Sequence, residues 1–249
     1  MSNEKILTAS GITKSFGSLI AVNHVDLEIY EEEIVGLIGP NGAGKTTLFN
    51  LINGLETPDQ GEVTFKGIDI TAMSPHKICQ LGMARSFQVT RSFTQMSVEE
   101  AIKVGAYNRK NEKEVQEKVE WVINFFGLEE IRDCKCSDLG LASLRKVEVA
   151  RATATEPNLL LLDEVAAGLT SAELLKLMSE LRRLNKEAKI TLCVVEHVMQ
   201  MVMSLCERIF VLDAGELIAQ GVPEEISNNQ RVIEAYLGRG SYGKTSSAD

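Results

Sequence analysis

The segment that decides the fold is Gly39-Pro40-Asn41-Gly42-Ala43-Gly44-Lys45-Thr46. It fits the pattern G-x-x-x-x-G-K-[ST], in which glycines let successive backbone N–H groups turn inward around phosphate oxygens. The apolar run 34–39 predicts a strand buried on both faces, and residues 46–52 predict a helix whose positive end faces the loop. An ordinary glycine-rich turn would not require Lys-Thr at the start of a helix. The segment therefore predicts a phosphate-binding loop between a buried strand and a helix.

Two side chains of this loop have separate predicted roles. Lys45 places a positive charge between the β and γ phosphates, and the Thr46 hydroxyl is a ligand for Mg²⁺. The residues predicted to contact the nucleotide in this segment are Gly39, Pro40, Asn41, Gly42, Ala43, Gly44, Lys45, Thr46 and Thr47.

A second apolar run, residues 159–162, ends in Asp163 and Glu164. Ligands of a parallel sheet bind at the carboxyl ends of its strands, where the phosphate loop is also expected. We predict that Asp163 holds Mg²⁺, directly or through water, and that Glu164 polarises the attacking water as a general base. An apolar strand ending in two acids is often only structural, but the phosphate loop favours the functional interpretation.

The rest of the chain alternates between strand and helix patterns. Val25, Leu27 and Ile29 alternate with polar residues, which is typical of a half-buried antiparallel strand. Residues from about 90 to 155 are helical in pattern, and strand–helix alternation resumes afterwards. These patterns predict a parallel sheet flanked by helices, with antiparallel strands near the N-terminus and an inserted helical segment. We expect the Gly/Ser-rich tail 238–249 to be disordered.

Composition limits the classes of function. The net charge is −9 and the pI is about 5.1, so the sequence has no electrostatic footprint for nucleic acid. No apolar run approaches the roughly 18–20 residues that span a bilayer, and the N-terminus lacks the pattern of a secretion signal. The five scattered cysteines are typical of reduced thiols in the cytoplasm. We expect a cytoplasmic protein whose membrane role, if any, comes through a partner.

The chain resembles the ATP-binding-cassette family over about residues 5–237, and it lacks the N-K-x-D motif of guanine-specific proteins. The resemblance implies a P-loop NTPase with a RecA-like parallel-sheet core, an N-terminal antiparallel β subdomain and a helical subdomain at about 90–155. It also implies ATP as the nucleotide. In Lys14-Ser15-Phe16-Gly17, Phe16 resembles the aromatic residue that stacks on adenine.

Two further residues take their roles from the same resemblance. In Ala84-Arg85-Ser86-Phe87-Gln88, Gln88 resembles the glutamine that contacts the metal or water and the helical subdomain that meets the transporter. His197 follows an apolar strand and resembles the switch histidine, which bonds to the γ-phosphate and Glu164. We therefore predict Lys45, Gln88, Glu164 and His197 as catalytic residues, and Thr46, Gln88 and Asp163 as metal-binding residues.

Within the family, the chain resembles the importers of branched-chain or hydrophobic amino acids. The residues that carry this are 84–88, 164–169 and Val232-Ile233-Glu234-Ala235-Tyr236-Leu237-Gly238. The resemblance implies permease subunits, a second cassette subunit in a homodimer or heterodimer and, indirectly, a substrate-binding protein. It places the chain on the inner face of the cell membrane. Export ATPases for lipid or polysaccharide share parts of these motifs and remain an alternative.

The sequence departs from the family where the signature L-S-G-G-Q is expected. Leu139-Gly140-Leu141-Ala142-Ser143 stands there, so the signature serine is replaced by Gly140 and its glycines by Leu141 and Ala142. A branched side chain opposes a close approach of backbone to phosphate. Val165 and Thr170 replace a common proline and a common Asp or Asn. We interpret these changes as a relaxed signature beside an intact catalytic set.

Two other classes of function stay open at this point. The relaxed signature is compatible with a nucleotide clamp that takes up ATP without turning it over, although Glu164 and His197 argue against that interpretation. A DNA-maintenance or translation ATPase is the third class, but such proteins usually add coiled coils or tandem cassettes that 249 residues cannot contain.

Overall fold

The computed structural model describes residues 4–86, 93–108 and 111–237. Its strands in chain order are β1 (Lys5–Phe16), β2 (Leu19–Tyr30), β3 (Ile34–Ile38), β4 (Gln60–Phe65), β5 (Ile68–Asp69), β6 (Met83–Arg85), β7 (Leu159–Asp163), β8 (Thr191–Val195), β9 (Arg208–Asp213) and β10 (Glu216–Gly221). Its helices are α1 (Lys45–Ile52), α2 (Pro75–Leu81), α3 (Val98–Ala106), α4 (Glu112–Phe126), α5 (Leu141–Ala154), α6 (Ser171–Ala188), α7 (Met199–Leu205), α8 (Pro223–Ser227) and α9 (Gln230–Leu237).

The smaller sheet is antiparallel and runs in the order β2-β1-β4-β5. In β2 the side chains of Val25, Leu27 and Ile29 are buried, and Asp26 between them is exposed. The alternation predicted from the sequence is therefore confirmed. It follows from the pleat, which turns successive side chains to opposite faces of a sheet that is covered on one side.

The larger sheet runs in the order β10-β9-β3-β8-β7-β6. Its neighbouring strands are parallel, except that β10 joins β9 antiparallel. Leu159 and Leu161 of β7 pack into one core with α1 and the smaller sheet, whereas Leu160 and Leu162 pack into a second core with α3 to α7. Because both faces are covered, the run 159–162 is apolar throughout, as the sequence indicated.

Helices α3, α4 and α5 lie in the stretch that was predicted to be helical. Ser97 and Asn111 begin α3 and α4 with reciprocal capping bonds to Glu100 and Glu114. Such a cap satisfies backbone N–H groups that have no partner within the helix. Gly127 ends α4 with a φ of 59°, a conformation that costs glycine little. The bounds 5–237 for the domain and 90–155 for the helical subdomain stay predictions.

The architecture confirms the predicted α/β class with a parallel core, antiparallel strands and helices. Strands β6, β7, β8 and β3 all end at the same edge of the larger sheet, so the segments that follow them meet there. Gln88 and the tail 238–249 lie outside the described residues. Within the described part of the chain, no helix combines the length and the apolar character needed to span a membrane.

Candidate active site

The predicted phosphate loop connects β3 to α1, as the sequence indicated. Gly44 precedes the helix with a φ of 99°, and a Cβ there would lie 2.3 Å from the Ala21 carbonyl oxygen. Gly39 is equally constrained, because a Cβ would lie 2.1 Å from the Leu212 carbonyl oxygen. Only glycine combines this left-handed backbone with such close approach. The tight loop aims backbone N–H groups and the start of α1 at one point.

Lys45 is buried at the start of α1. Its Nζ donates hydrogen bonds to the carbonyl oxygens of Gly39 at 2.7 Å and Pro40 at 2.9 Å. Burial lowers the pKa of Lys45, and the nearby carboxylates of Glu164 and Asp163 oppose this shift. The side chain therefore sits between the loop and the two acids that were expected to share its site.

Glu164 and His197 meet at the ends of β7 and β8. His197 Nε2 lies 3.1 Å from Glu164 Oε1, and the Glu164 N–H donates to the Val195 carbonyl oxygen at 2.9 Å. Glu164 has a φ of 49°, a left-handed conformation that is uncommon outside glycine. Such conformations persist only where surrounding contacts enforce them, and they cluster at functional sites. The predicted base and switch histidine are thus brought into contact.

An open cleft of about 570 Å³ joins these groups to the predicted adenine-binding residue. Its walls include residues 41–47, Glu164, His197 and Phe16. The Phe16 ring is 46% exposed at the end of β1, and Lys14 Nζ lies 5.7 Å from its centroid. A buried core phenylalanine would not present its face to solvent, so the position suits stacking.

Asp163 is buried at the end of β7 and is held by Arg85, for which no role was predicted from the sequence. Arg85 Nη2 donates to Asp163 Oδ2 at 2.5 Å, and Arg85 Nη1 donates to Asn50 Oδ1 at 2.8 Å. The Asp163 N–H donates to the Ser86 hydroxyl at 3.2 Å. The sequence signal was available in part, because Arg85 and Ser86 immediately precede Phe87 and Gln88. Gln88 itself lies outside the described residues.

No role was predicted from the sequence for Glu196, which follows β8 directly. It is only 1% exposed, and its carboxylate accepts the Ala166 N–H at 2.7 Å. Burial raises the pKa of Glu196, while the backbone N–H groups of Ala166, His197 and Val198 act against the shift. The carboxylate therefore ties the loop after Glu164 to the segment that carries His197. The sequence feature that could have indicated this role is an acid directly after an apolar strand.

The C-terminal helix α9 reaches the phosphate loop. Burial raises the pKa of the Tyr236 phenol, while the nearby Gly39 backbone N–H acts against that shift. The first residue of the loop therefore lies near the end of the described chain. Tyr236 belongs to the motif 232–238, which indicated a subfamily but did not predict a position beside the phosphate loop.

The relaxed signature occupies the start of α5. Gly140 is the N-cap of this helix, no side chain caps it, and Leu141 follows with 41% of its surface exposed. Leu141 Cδ2 lies 2.7 Å from the position that a Cβ on Gly168 would take, so the side chain covers that glycine. Thr170 caps α6 in a reciprocal pair with Glu173. The unusual Thr170 therefore has a structural role that Asp or Asn would also fill.

The residues present suit Mg²⁺, which prefers oxygen ligands and usually binds one or two carboxylates together with phosphates and water. The Thr46 hydroxyl and the Asp163 carboxylate are such donors beside Lys45. Across residues 4–86, 93–108 and 111–237, no cluster of three His, Cys, Asp or Glu side chains is arranged for a metal ion.

A family model described as ABC transporter matches residues 22–167, which is more than half of the chain. The chain belongs to the ABC transporter family. It is an ATP-binding-cassette ATPase, and the predicted class of enzyme is confirmed. A second model, described as Branched-chain amino acid ATP-binding cassette transporter, matches residues 216–242.

Named relatives of this ABC ATPase match it over nearly their whole length. LivG of Salmonella typhimurium, a "High-affinity branched-chain amino acid transport ATP-binding protein", is 36% identical, with 95% of this chain and 99% of LivG aligned. BraF of Pseudomonas aeruginosa carries the same description and is 36% identical over 94% of this chain and 98% of BraF. LptB of Haemophilus influenzae, a "Lipopolysaccharide export system ATP-binding protein", is 36% identical over 94% and 97% of the two chains.

Solved cassettes share the fold of this ABC ATPase. The ADP conformation of MJ1267, an ATP-binding cassette of an ABC transporter, superposes with a TM-score of 0.86 at 27% identity, covering 94% of this chain and 99% of that chain. The MJ0796 cassette, solved as a dimer bound to ADP and Pi, gives a TM-score of 0.77 at 25% identity and covers 87% and 98% of the two chains.

Proposed function

We propose that this ABC ATPase powers the import of branched-chain or other hydrophobic amino acids. The contact between Glu164 and His197 beside Lys45 supports turnover of ATP. The substrate class rests on the C-terminal match at residues 216–242 and on the likeness to LivG and BraF.

The proposed chemistry divides among the strand ends. Backbone N–H groups of the loop and Lys45 hold the β and γ phosphates, while Phe16 stacks on the base. Thr46, Asp163 and Gln88 would hold Mg²⁺, and the ion would supply positive charge beside the phosphates. Glu164 orients the attacking water and accepts its proton, and His197 bonds to the γ-phosphate and keeps Glu164 in place.

We place the chain in a dimer with a second cassette subunit, arranged head to tail. Each ATP then lies between the phosphate loop of one subunit and the signature of the other. The MJ0796 cassette, which was solved as a dimer, supports the dimer. The Leu139–Ser143 segment lacks the signature serine and both glycines. A heterodimer with a subunit that carries a full L-S-G-G-Q therefore has one complete site and one weakened site.

The permease partners are proposed to dock in an apolar groove of about 670 Å³ between α2 and β6 on one side and α3 and α5 on the other. Val104 and Tyr107 present exposed apolar surface there. Arg85 and Arg151 also line the groove and suit an acidic residue or the carboxyl end of a helix. An amphipathic permease helix meets both requirements. This docking would place the cassette on the inner face of the cell membrane, with a substrate-binding protein as an indirect partner.

The export alternative has its own support, because LptB matches this chain at the same 36% identity. The C-terminal match at residues 216–242 and the likeness to LivG and BraF favour amino acid import over this alternative. The clamp alternative has less support, since the base, the histidine and the loop lysine form one site.

Transport assays separate these functions. The chain is purified in complex with its permease subunits and reconstituted in proteoliposomes. ATP is supplied on the side of the membrane that carries the cassette, and labelled leucine and the binding protein are supplied on the opposite side. We expect leucine uptake that requires Mg²⁺ and ATP and that disappears with Glu164→Gln. Transfer of lipid or polysaccharide without uptake would establish the export alternative, and ATP binding without phosphate release would establish the clamp.

A further inference from the structure

Arg85 stands in the wall between the groove and the nucleotide site. It ends the edge strand β6, which pairs in parallel with β7, so its backbone lies opposite Leu161. Its side chain is 6% exposed and forms part of the lining of the groove. The same side chain therefore faces a proposed docking surface and reaches the residues of the active site.

The guanidinium group joins two elements of that site. One nitrogen bonds to Asp163 Oδ2 at 2.5 Å and the other to Asn50 Oδ1 at 2.8 Å, and the group stacks 5.5 Å from the Phe49 centroid. Asn50 and Phe49 belong to α1, the helix that begins with Lys45 and Thr46. Arg85 thus links the predicted metal carboxylate to the helix that carries the phosphate-binding residues.

The planar fork of arginine is what makes this link specific. Two N–H groups with a fixed separation hold Asp163 and Asn50 at once, and a lysine could supply only a point charge. By bonding to Oδ2, Arg85 fixes the rotation of the Asp163 carboxylate and leaves Oδ1 for the metal. The pair is largely buried, so its mutual attraction is weakly screened and responds to changes in local dielectric.

We propose that Arg85 couples occupancy of the groove to the carboxylate that holds the metal. A segment seated in the groove closes over the 6% of the Arg85 side chain that is still exposed and thereby strengthens its hold on Asp163. A metal ion on Asp163 competes for the same negative charge and shifts Arg85 toward the groove. Coupling between two sites is reciprocal, so each event changes the affinity for the other by the same factor. Arg85 is a positioning residue in this scheme, and the scheme rests on the proposed metal role of Asp163.

The chain carries a natural attachment point for a reporter. Cys79 lines the groove on α2. Burial raises the pKa values of Cys136, Cys193 and Cys206, which disfavours their reactive thiolates, and Cys134→Ser removes the exposed thiol. An environment-sensitive maleimide dye on Cys79 then reports changes in the groove without any permease.

The experiment titrates the labelled full chain with ADP in the presence of Mg²⁺ and in the presence of EDTA, while calorimetry measures nucleotide binding separately. In the parent chain we expect a dye signal that depends on Mg²⁺. Arg85→Lys keeps the charge but loses the fork, so we expect the Mg²⁺-dependent part to fall at least about fivefold, the lower range of couplings between sites. Nucleotide binding without Mg²⁺ is expected to persist.

Arg151→Lys is the matched control. Arg151 also lines the groove, but its guanidinium lies 4.3 Å from the Phe93 centroid and close to Glu148 of the same helix. We expect this variant to keep the Mg²⁺-dependent signal. Asn50→Ala removes the link to α1 without disturbing a buried charge, and we expect an intermediate signal. It keeps the test informative if Arg85→Lys does not fold.

The signals of the three variants decide whether Arg85 couples the groove to Asp163. A full Mg²⁺-dependent signal in both Arg85→Lys and Asn50→Ala would overturn the proposal, as would an equal loss in Arg151→Lys. If the stability of Arg85→Lys falls while its signal is unchanged, Arg85 is only a structural residue. Failure of the parent chain to bind nucleotide by calorimetry would instead count against the proposed function.

Discussion

The catalytic edge of the larger sheet and the start of α5 differ in the groups that they offer to a phosphate. At the edge, Lys45, Asp163, Glu164 and His197 are brought together from the ends of three neighbouring strands. At the start of α5, Gly140 and Leu141 present a bare helix end and an exposed apolar side chain. Both regions are expected to face a γ-phosphate, one within the chain and one across a dimer.

The two regions differ in how many groups they can place around a phosphate. The catalytic edge keeps costly features, such as the left-handed backbone of Glu164 and the buried carboxylate of Glu196. The signature has lost its hydroxyl donor but keeps a helix N-terminus, whose dipole still favours an anion. We therefore expect the chain to hydrolyse ATP with its own catalytic edge and to contribute weakly to the opposite site.

Glu164→Gln is expected to produce the largest effect on the catalytic edge. An amide cannot accept the proton of the attacking water, and losing a general base costs about 10²- to 10⁴-fold in rate. We expect ATP to stay bound and an ATP-bound dimer to accumulate, as measured by phosphate release and size-exclusion chromatography. Turnover at the parent rate would assign the base to another group.

Lys45→Ala tests the same edge at the binding step. The substitution removes a fixed positive charge from the phosphate site, and hydrogen bonds to charged groups contribute about 1.5–3 kcal/mol each. We expect nucleotide affinity, measured by calorimetry, to fall by about one to two orders of magnitude. Lys189→Ala, which removes an exposed lysine paired with Glu32 away from the cleft, is the control and should change affinity little. Unchanged hydrolysis by Lys45→Ala would contradict the assignment of the site.

Phe16→Ala probes the base end of the cleft. Stacking of an aromatic ring on a base contributes about 1–3 kcal/mol, so ATP and ADP should both bind more weakly by that amount. Phe16→Tyr preserves the ring face and should be nearly silent. A large loss of affinity with tyrosine would mean that the ring packs against protein instead of the base.

The smallest expected change is a gain on the signature side. The combined substitution Gly140→Ser, Leu141→Gly and Ala142→Gly restores the hydroxyl and the close backbone approach. A full transition-state donor is worth about 10²- to 10³-fold, and a partly restored one should raise turnover of the complex by a smaller factor, about tenfold at most. Leu141→Ala alone is the control. No gain in phosphate release would show that the relaxed signature does not limit the rate.

The sequence predicted the parts of the site that follow from local chemistry. The phosphate loop and the acids after 159–162 have recognisable spacing, and the apolar strands required burial on both faces. The order of the sheet then brings His197 against Glu164. The helical pattern predicted for about 90–155 includes α4, in which five buried residues share one face.

Arg85, Glu196 and Tyr236 could not be assigned from the sequence because their roles depend on tertiary contacts. Arg85 reaches Asp163 across 78 positions, and Glu196 reaches Ala166 across 30. An arginine at a strand end or an acid after an apolar run is common in proteins. Only the pairing of β6 with β7 and of β7 with β8 shows which side chains these groups contact.

Crossed mutants in the purified transporter test the contrast between the two regions most directly. Phosphate release is measured with Glu164→Gln in this chain and, separately, with the matching glutamate changed in the partner cassette. Because the signature here lacks one donor worth about 10²- to 10³-fold in rate, Glu164→Gln in this chain should remove most of the activity and the partner's change should remove little. Equal losses from the two mutants, or a fully active homodimer of this chain alone, would contradict the account.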